Sequence, residues 1–261
     1  MLDSKLPSLN LSDIEGFSDY TMNALMDVIL RLLNPENSLE IGTYYGKTTT
    51  LAAAYTREHL WYIEPDEKHG QETARNVMSR TGFALDHIHW LQKCSNEVYP
   101  FNFEGTHFDF IHIDGCHTKE AVLNDLRLSI QLVTQKGIIV LDDFMSPTYP
   151  QITQAAYEFL YNHSDYILLF AGAGKGIIIH STEYTKWHDF FLTEFLRLFK
   201  TYNDYFKCMA LFKTSSIMDC PTFGMAMKYQ EDLPDYNGIE LIPGKTEKIT
   251  LIENPKDFKY E

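Results

Sequence analysis

Apolar residues in the first 180 positions follow two spacings, one typical of helices and one typical of buried strands. The first helical pattern covers Phe17–Leu33, where apolar residues return every three or four positions until Asn34 and Pro35 end it. Short apolar runs then alternate with stretches of helical spacing, as expected for strands buried on both faces. The predicted strands are Ser38–Gly42, Leu60–Ile63, His87–Leu91, Phe108–Ile113 and Gly137–Leu141, and the predicted helices are Thr48–Arg57, Lys68–Thr81, a short one near Asn96 and Lys119–Leu132.

The order of these elements predicts a sheet. Five strands with intervening helices imply right-handed crossovers and a parallel sheet covered on both sides. After a further helix at Thr153–Tyr161, the apolar runs Tyr166–Phe170 and Lys175–His180 lie too close together for a crossover helix, so they predict a hairpin. The segment Gly172–Gly176 lacks the spacing of a phosphate-binding loop and fits the hairpin turn. The predicted fold class is α/β: a Rossmann-like, doubly wound, mostly parallel seven-stranded sheet with an antiparallel edge hairpin.

Residues 181–261 have a different pattern. Trp187–Tyr205 predicts a strongly aromatic helix, and the short strand-like pieces beyond it are separated by turn signals. We therefore divide the chain into a domain of residues 1–180, of which 1–36 are a helical lead-in, and a C-terminal extension of residues 181–261. The extension is expected to pack on the domain, either as a cover over the site or as an interface in a homo-oligomer.

Composition narrows the classes of partner. Hydrophobic residues make up 44% of the 261 residues and aromatic residues 14%, as expected for a chain with a packed core. The formal net charge of -14 would repel phosphate backbones, so nucleic acid is not an expected partner. No apolar run approaches the roughly 20 residues of a membrane helix, so no membrane partner is expected either. The four scattered cysteines contain no C-x-x-C pair, which argues against a disulfide framework. We expect a cytoplasmic protein that acts on a small molecule.

The strongest local motif follows the first predicted strand. It reads Glu40-Ile41-Gly42-Thr43-Tyr44-Tyr45-Gly46-Lys47-Thr48. Glycines allow a tight turn and close approach of a ligand to the backbone, and the next helix presents its N-terminus to that ligand. The G-x-x-x-G spacing differs from that of dinucleotide-binding loops, and an acid before the loop suits the zwitterionic tail of an amino acid. The predicted cofactor-binding residues are Glu40, Gly42, Thr43, Tyr44, Gly46 and Thr48. A generic glycine-rich turn between a strand and a helix is the alternative.

A second acid follows the second predicted strand. Glu64 lies roughly 20 residues beyond the glycine loop, the separation at which a carboxylate meets the hydroxyls of a cofactor ribose. A solvated strand end is the alternative interpretation of this acid. Cys94 and Ser95, after the third predicted strand, are expected at the rim where an adenine ring rests.

Carboxylates also follow the fourth and fifth predicted strands. Asp114 ends the fourth, and Asp142 and Asp143 end the fifth. Neighbouring parallel strands end at the same edge of a sheet, so these acids should gather there and either raise their pKa values or bind a cation. Oxygen ligands favour magnesium or calcium, which would lower the pKa of a substrate hydroxyl. His117, three residues beyond Asp114, is a candidate general base. The alternatives are a helix cap at Asp142-Asp143 and an ordinary loop histidine at 117.

These motifs carry a resemblance. From Ser38 to His180 the chain is similar to class I S-adenosylmethionine-dependent methyltransferases, with Glu40–Thr48 as the cofactor loop. Ile113-Asp114-Gly115-x-His117, followed by Leu141-Asp142-Asp143-Phe144, resembles the macrocin O-methyltransferase type, whose members methylate sugar hydroxyls of natural products with magnesium. The resemblance implies that Asp114, Asp142 and Asp143 bind magnesium and that Asp114 or His117 takes the proton. Asp114 is also placed among the cofactor-binding residues. In catechol O-methyltransferase, which the chain resembles as well, a lysine base occupies the position of His117.

The sequence therefore predicts methyl transfer from S-adenosylmethionine to a hydroxyl of a small molecule, a sugar or another natural product, with a divalent metal. One alternative is a metal-independent N-methyltransferase, in which the acids bind a substrate amine. A nicotinamide-binding oxidoreductase and a non-catalytic cofactor-binding protein are further alternatives. The loop spacing argues against the oxidoreductase.

Overall fold

Strands and helices alternate along the computed structural model, which describes residues 3–16, 20–199, 209–217, 220–227 and 240–241. The strands are β1 (Asn37–Ile41), β2 (His59–Ile63), β3 (Ile88–Leu91), β4 (Phe108–Ile113), β5 (Val133–Leu141), β6 (Tyr166–Gly172), β7 (Lys175–His180), β8 (Met209–Ile217), β9 (Cys220–Met227) and β10 (Glu240–Leu241). The helices are α1 (Leu6–Leu9), α2 (Tyr20–Leu33), α3 (Lys47–Ala53), α4 (Glu67–Thr81), α5 (Lys119–Leu132), α6 (Pro150–Asn162), α7 (Tyr184–Phe190) and α8 (Leu196–Phe199).

Within these residues the strands form one sheet, in the order β10-β8-β9-β6-β7-β5-β4-β1-β2-β3. The strands β3, β2, β1, β4 and β5 are parallel neighbours, whereas β7 runs antiparallel to both β5 and β6. The predicted Rossmann-like α/β fold class is confirmed. The sheet continues past the seven predicted strands, because β9 pairs in parallel with β6. The β6–β7 hairpin therefore lies inside the sheet and not at its edge.

Both faces of the sheet are buried, which explains the continuous apolar runs in the sequence. Adjacent side chains of a strand point to opposite faces. Phe110 and Val140 belong to the apolar core on one face, together with residues of α2 and α7. Their chain neighbours Ile111 and Ile139 belong to the core on the other face, together with residues of α5 and α6. The sheet thus supplies a rigid frame for the loops at its carboxyl edge.

Local side-chain bonds fix where several helices begin and end. α5 has the predicted bounds and starts after Thr118, whose side chain accepts a hydrogen bond from the N–H of Ala121. α3 ends at Ala53, whereas the sequence pattern extends it to Arg57. The N–H groups of Tyr55 and Thr56 both donate to the Ala52 carbonyl, so the chain leaves the helix there.

Other elements differ more from the prediction. β5 begins four residues earlier than predicted, after an irregularity in its pairing with β4, and the helix expected near Asn96 is a single 3-10 turn, Ser95–Glu97. The aromatic helix predicted at Trp187–Tyr205 consists of α7, a π-helical turn at Phe191–Phe195 and α8, and residues 200–205 lie outside the described residues. Among the described helices, none is long and apolar enough to cross a membrane.

Candidate functional site

Two cavities lie where β1, β2, β4 and β5 end. The first has a volume of about 460 Å³, and we name it the acidic cavity after five of its lining residues: Glu40, Asp114, His117, Asp142 and Asp143. The second has a volume of about 480 Å³, and its lining residues include Gly42, Cys94, Ser95, Gly115 and Asn124. Consecutive residues of the chain, such as Asp114 and Gly115, line different cavities. The two cavities are therefore neighbours.

The glycine loop between β1 and α3 requires glycine at two positions. Gly42 has a φ of +81°, and a Cβ there would collide with the carbonyl oxygen of Asp114. Gly46 has a φ of +77°, and a Cβ there would lie 2.7 Å from the Cγ2 atom of Thr73. Both positions combine left-handed backbone with close packing, which only glycine accepts without strain. The loop therefore fits tightly between β4 and α4 and places Thr43, Tyr44 and Thr48 along the acidic cavity.

The Glu64 carboxylate binds the backbone of the glycine loop. One of its carboxylate oxygens accepts hydrogen bonds from the backbone N–H groups of Thr43, at 3.1 Å, and Tyr44, at 3.2 Å. The other accepts from the N–H of Asp66 at 3.0 Å. Glu64 is buried, so these bonds compensate for its removal from water. The carboxylate predicted to meet the ribose thus also fixes the backbone of the glycine loop.

A buried charged row forms the floor of the acidic cavity, and it consists of Glu40, His112, Lys175 and Asp142. Nδ1 of His112 lies 2.8 Å from Oε1 of Glu40, and the other oxygen of this carboxylate, Oε2, accepts a hydrogen bond from the Thr49 hydroxyl. Nζ of Lys175 lies 3.3 Å from Nε2 of His112 and 2.6 Å from Oδ2 of Asp142. Because an ammonium only donates, Nε2 accepts from Lys175 and Nδ1 donates to Glu40.

The sheet register explains why this row forms. Glu40 and His112 are direct partners across β1 and β4. Lys175 is the first residue of β7, and Asp142 follows Leu141, which pairs with Gly176. Neighbouring strands lie about 5 Å apart, so side chains on one face of adjacent strands reach each other.

Three side chains above this row form a second group, which we name the open cluster: Asp114, His117 and Asp143. Nε2 of His117 lies 3.6 Å from Oδ1 of Asp114 and 3.6 Å from Oδ2 of Asp143. Among the described residues this nitrogen is buried without a hydrogen-bond partner. One ligand atom from each of the three side chains lies within 4.8 Å of the other two. About a third of each side chain remains exposed, so a ligand can reach the group.

The two groups have opposite electrostatics. Burial, followed by the neighbouring Asp142 carboxylate, raises the pKa of Asp114 to about 6, and the same two causes raise the pKa of Asp143. The Asp114 carboxylate in turn raises the pKa of His117. For Asp142 burial acts in the opposite direction to the net shift, but the Lys175 ammonium and His112 overcome it and lower its pKa. The two carboxylates of the open cluster thus have raised pKa values, whereas in the row the Asp142 carboxylate is stabilised by the Lys175 ammonium.

A comparison with models of known protein families identifies one domain in this chain. Residues 39–144, from β1 to the loop that carries Asp142 and Asp143, match the family model of a methyltransferase domain. The chain therefore contains a methyltransferase domain over these residues. A search of curated proteins finds no match to this chain.

Solved structures show the same fold as this chain. An O-methyltransferase from Bacillus cereus in complex with S-adenosylhomocysteine is 18% identical, with a TM-score of 0.51, over 68% of this chain and 89% of that one. TomG from Streptomyces achromogenes, an O-methyltransferase involved in tomaymycin synthesis and bound to S-adenosylmethionine, is 17% identical, with a TM-score of 0.51, over 69% and 91%. The methyltransferase PaMTH1 from Podospora anserina is 17% identical, with a TM-score of 0.51, over 69% and 89%. The predicted resemblance to class I S-adenosylmethionine-dependent methyltransferases is confirmed by the family model for residues 39–144 and by these structures for the fold.

Most of the site residues predicted from the sequence come together in the structure. Glu40, Thr43, Tyr44, Thr48, Asp114, His117, Asp142 and Asp143 line the acidic cavity, and Gly42, Cys94 and Ser95 line the second cavity. Gly46 packs against Thr73 and shapes the loop from behind. Asp142 lies at the cavity but is bound to Lys175, and this separates it from the open cluster.

Sequence reasoning missed two members of the buried charged row. His112 stands inside the apolar strand Phe108–Ile113, and Lys175 follows the hairpin turn at the start of an apolar strand. Both side chains are fully buried, His112 at 0% and Lys175 at 1% exposed. A charged residue in an otherwise apolar strand is the available signal, because burial of such a residue requires a partner.

Proposed function

We propose that this methyltransferase moves the methyl group of S-adenosylmethionine to a hydroxyl group of a small molecule, a sugar or related natural product, with a divalent cation in the acidic cavity. The observation that carries the proposal is the convergence of the open cluster with the glycine loop in one cavity. A methyl donor held by the loop would lie beside groups that can bind and deprotonate a hydroxyl.

The cofactor would extend across both cavities. Its adenosine suits the second cavity, where Cys94 and Ser95 lie after β3. Glu64 lies between Ile63 and Pro65, which line this cavity, and is the acid nearest in the chain to a ribose held there. Its amino acid tail suits the acidic cavity, where the glycine loop and the Glu40 side chain form part of the lining. The methyl group would then lie between the two cavities, next to Asp114.

The side chains of the open cluster fit a divalent cation. Two carboxylates and the Nε2 atom of His117, which has no hydrogen-bond partner among the described residues, offer three ligand atoms. Burial raises the pKa of both acids, so a cation would stabilise their charged forms. Asp114, His117 and Asp143 would hold the ion. When bound, it supplies a Lewis acid that lowers the pKa of an acceptor hydroxyl.

The chain's own residues supply the remaining chemistry. Asp114 offers one carboxylate oxygen to the ion, and its other oxygen can accept the hydroxyl proton. The ring of Tyr149 lies against His117, with ring centroids 4.1 Å apart, and lines the same cavity as Tyr44. These two rings form an apolar rim against which the ring of a sugar or an aromatic acceptor can pack.

The acceptor class follows from the need for a base. A hydroxyl must lose its proton on methylation, whereas a neutral amine reacts before it loses one, so the acids of the open cluster suit a hydroxyl. The O-methyltransferase TomG, which shares the fold, is described as acting in the synthesis of a natural product, tomaymycin. Both points support a hydroxylated small molecule as the acceptor.

The test is methyl transfer from S-adenosylmethionine to matched panels of hydroxylated and amine-bearing small molecules, followed by mass spectrometry. We expect O-methylated products that disappear with a chelator and return with added divalent ions. Products methylated on nitrogen, at a rate that chelation does not change, would overturn the proposal in favour of a metal-independent N-methyltransferase. Calorimetric titration with S-adenosylmethionine checks cofactor binding separately.

A further inference from the structure

We propose that Lys175 takes the place of the metal ion at Asp142, and that His117 completes the ligand set in its stead, so that the site selects a first-row transition-metal ion over Mg²⁺. The inference rests on the proposed function, because it concerns the same cation. It departs from the sequence prediction, in which Asp142 is a ligand and His117 a base.

Asp142 already has partners at both carboxylate oxygens. Oδ2 lies 2.6 Å from Nζ of Lys175, and Oδ1 accepts a hydrogen bond from the N–H of Asp143 at 2.8 Å. An ammonium at this distance places a permanent positive charge next to the Asp142 carboxylate. A divalent ion bound to the same group would be repelled by that ammonium, and repulsion between cations is strong where water is excluded.

Lys175 is also fixed in place. Its side chain is 1% exposed, and its ammonium reaches a second partner, Nε2 of His112, at 3.3 Å. His112 is in turn bound to Glu40. To release Asp142, the ammonium would have to remain buried without its counter-ion, which is costly. The row therefore keeps Asp142 away from any ion in the cavity.

The remaining ligand set contains a nitrogen atom. Asp114, Asp143 and His117 contribute two carboxylates and one imidazole, and Nε2 of His117 lies at the same distance, 3.6 Å, from both acids. Magnesium prefers a shell of oxygen atoms only, whereas an imidazole ligand favours transition-metal ions such as Co²⁺, Fe²⁺ or Zn²⁺. Replacement of Asp142 by His117 thus changes the preferred ion.

The experiment is titration of the full chain with Co²⁺, followed by visible absorption, with Mg²⁺ as competitor. We expect Co²⁺ to bind and to resist displacement by Mg²⁺ in about tenfold excess. Asp143→Asn should weaken Co²⁺ binding by about tenfold or more. The matched neighbour Asp142→Asn should leave it within about threefold. His117→Asn should lower the affinity for Co²⁺ far more than the affinity for Mg²⁺, because it replaces the nitrogen donor by an amide oxygen.

Asp142→Asn leaves Lys175 without a counter-ion, so a second variant guards against unfolding. The double variant Asp142→Asn with Lys175→Met removes both buried charges together, and it should bind Co²⁺ as the unsubstituted chain does. Loss of Co²⁺ binding in this folded double variant, or easy displacement of Co²⁺ by Mg²⁺, would overturn the inference and leave the proposed function intact. Failure of the unsubstituted chain to bind either ion would overturn the metal in both.

Discussion

The buried charged row and the open cluster meet at one cavity, and each combines carboxylates with a histidine, yet they differ in how their charges are matched. In the row, Asp142 is paired with an ammonium at 2.6 Å, and its pKa is lowered. In the open cluster, Asp143, the next residue, lies 3.6 Å from the nearest imidazole nitrogen, and its pKa is raised. Adjacent acids thus have opposite environments.

This difference predicts which acids mainly affect stability and which mainly affect binding and catalysis. A carboxylate with a buried counter-ion is satisfied and rigid, and its removal should mainly affect folding. A carboxylate that lacks positive charge is stabilised by any cation or proton that reaches it, and its removal should mainly affect binding and catalysis. The predictions below test this division in the order of the expected effects.

Asp114→Asn should produce the largest change. It removes the acid whose pKa is raised to about 6 and which we place beside the acceptor hydroxyl. We expect kcat to fall by about 10²–10⁴, the usual contribution of a general base. The melting temperature should change little, since a third of the side chain is exposed. Methyl transfer and thermal melting are measured on the same preparation, with the exposed Asp165→Asn as control. Turnover close to that of the unsubstituted chain would contradict the role of Asp114.

Lys175→Met should have its largest effect on stability. It leaves the buried Asp142 carboxylate without its counter-ion, and breaking a buried pair in this way costs about 3–5 kcal/mol of the free energy of unfolding. Urea denaturation measures the loss. A second substitution, Asp142→Leu, should recover most of it, because both charges are then absent.

The exposed pair Lys119–Glu158 is the matched control for this prediction. Its atoms lie 2.8 Å apart, almost as close as those of the buried pair, but both side chains contact water. Lys119→Met should therefore change the free energy of unfolding much less than Lys175→Met. Equal losses in the two variants would show that the buried row carries no special share of the stability.

The open cluster could be predicted from the sequence, but the pairing of charges within the row could not, and the reason is physical. Asp114 and Asp143 follow strands that the apolar runs identify, and parallel neighbours end at one edge, so their convergence could be predicted. The pairing of Asp142 with Lys175 depends on β7 lying beside β5, a contact between distant parts of the chain. The order of elements does not determine that contact. The pairing of His112 with Glu40 could not be predicted either, because it depends on the register of β1 and β4.

Asp125 is a second buried acid, and its pKa shifts in the direction opposite to that of Asp142. It lies in α5, and among the described residues its Oδ2 atom has no hydrogen-bond partner. Burial raises its pKa to about 6, and hydrogen bonds from Ser95 and Asn124 offset this only in part. Because the folded pKa exceeds the usual value of 3.8, its contribution to stability is present below pH 3.8 and is lost as the pH rises through about 6.

Asp125→Asn removes this titration. Relative to the unsubstituted chain at the same pH, we expect the variant to gain on the order of 2–3 kcal/mol of unfolding free energy between pH 4 and pH 8. For Asp142, whose pKa is lowered, the sign is reversed, since its contribution is present above its ordinary pKa and is lost in acid. Urea denaturation between pH 4 and pH 8 measures the Asp125 effect, whereas the loss from Asp142 appears only below pH 3.8. A difference between variant and unsubstituted chain that stays constant with pH would contradict an uncompensated acid at position 125.

Tyr149→Ala should give the smallest effect and would sharpen the picture of the open cluster. The ring lies against His117 at a centroid distance of 4.1 Å and is partly exposed, so it covers the imidazole without belonging to the buried core. Loss of an aromatic contact of this kind is worth about 0.5–1.5 kcal/mol, which corresponds to a rise in the acceptor KM of roughly two- to tenfold. The Kd of S-adenosylmethionine should stay the same, because we place this ring on the acceptor side of the cavity. Tyr161→Ala, at a tyrosine that is 81% exposed, is the control. A change confined to cofactor binding would place Tyr149 with the donor and move the acceptor to another wall of the acidic cavity.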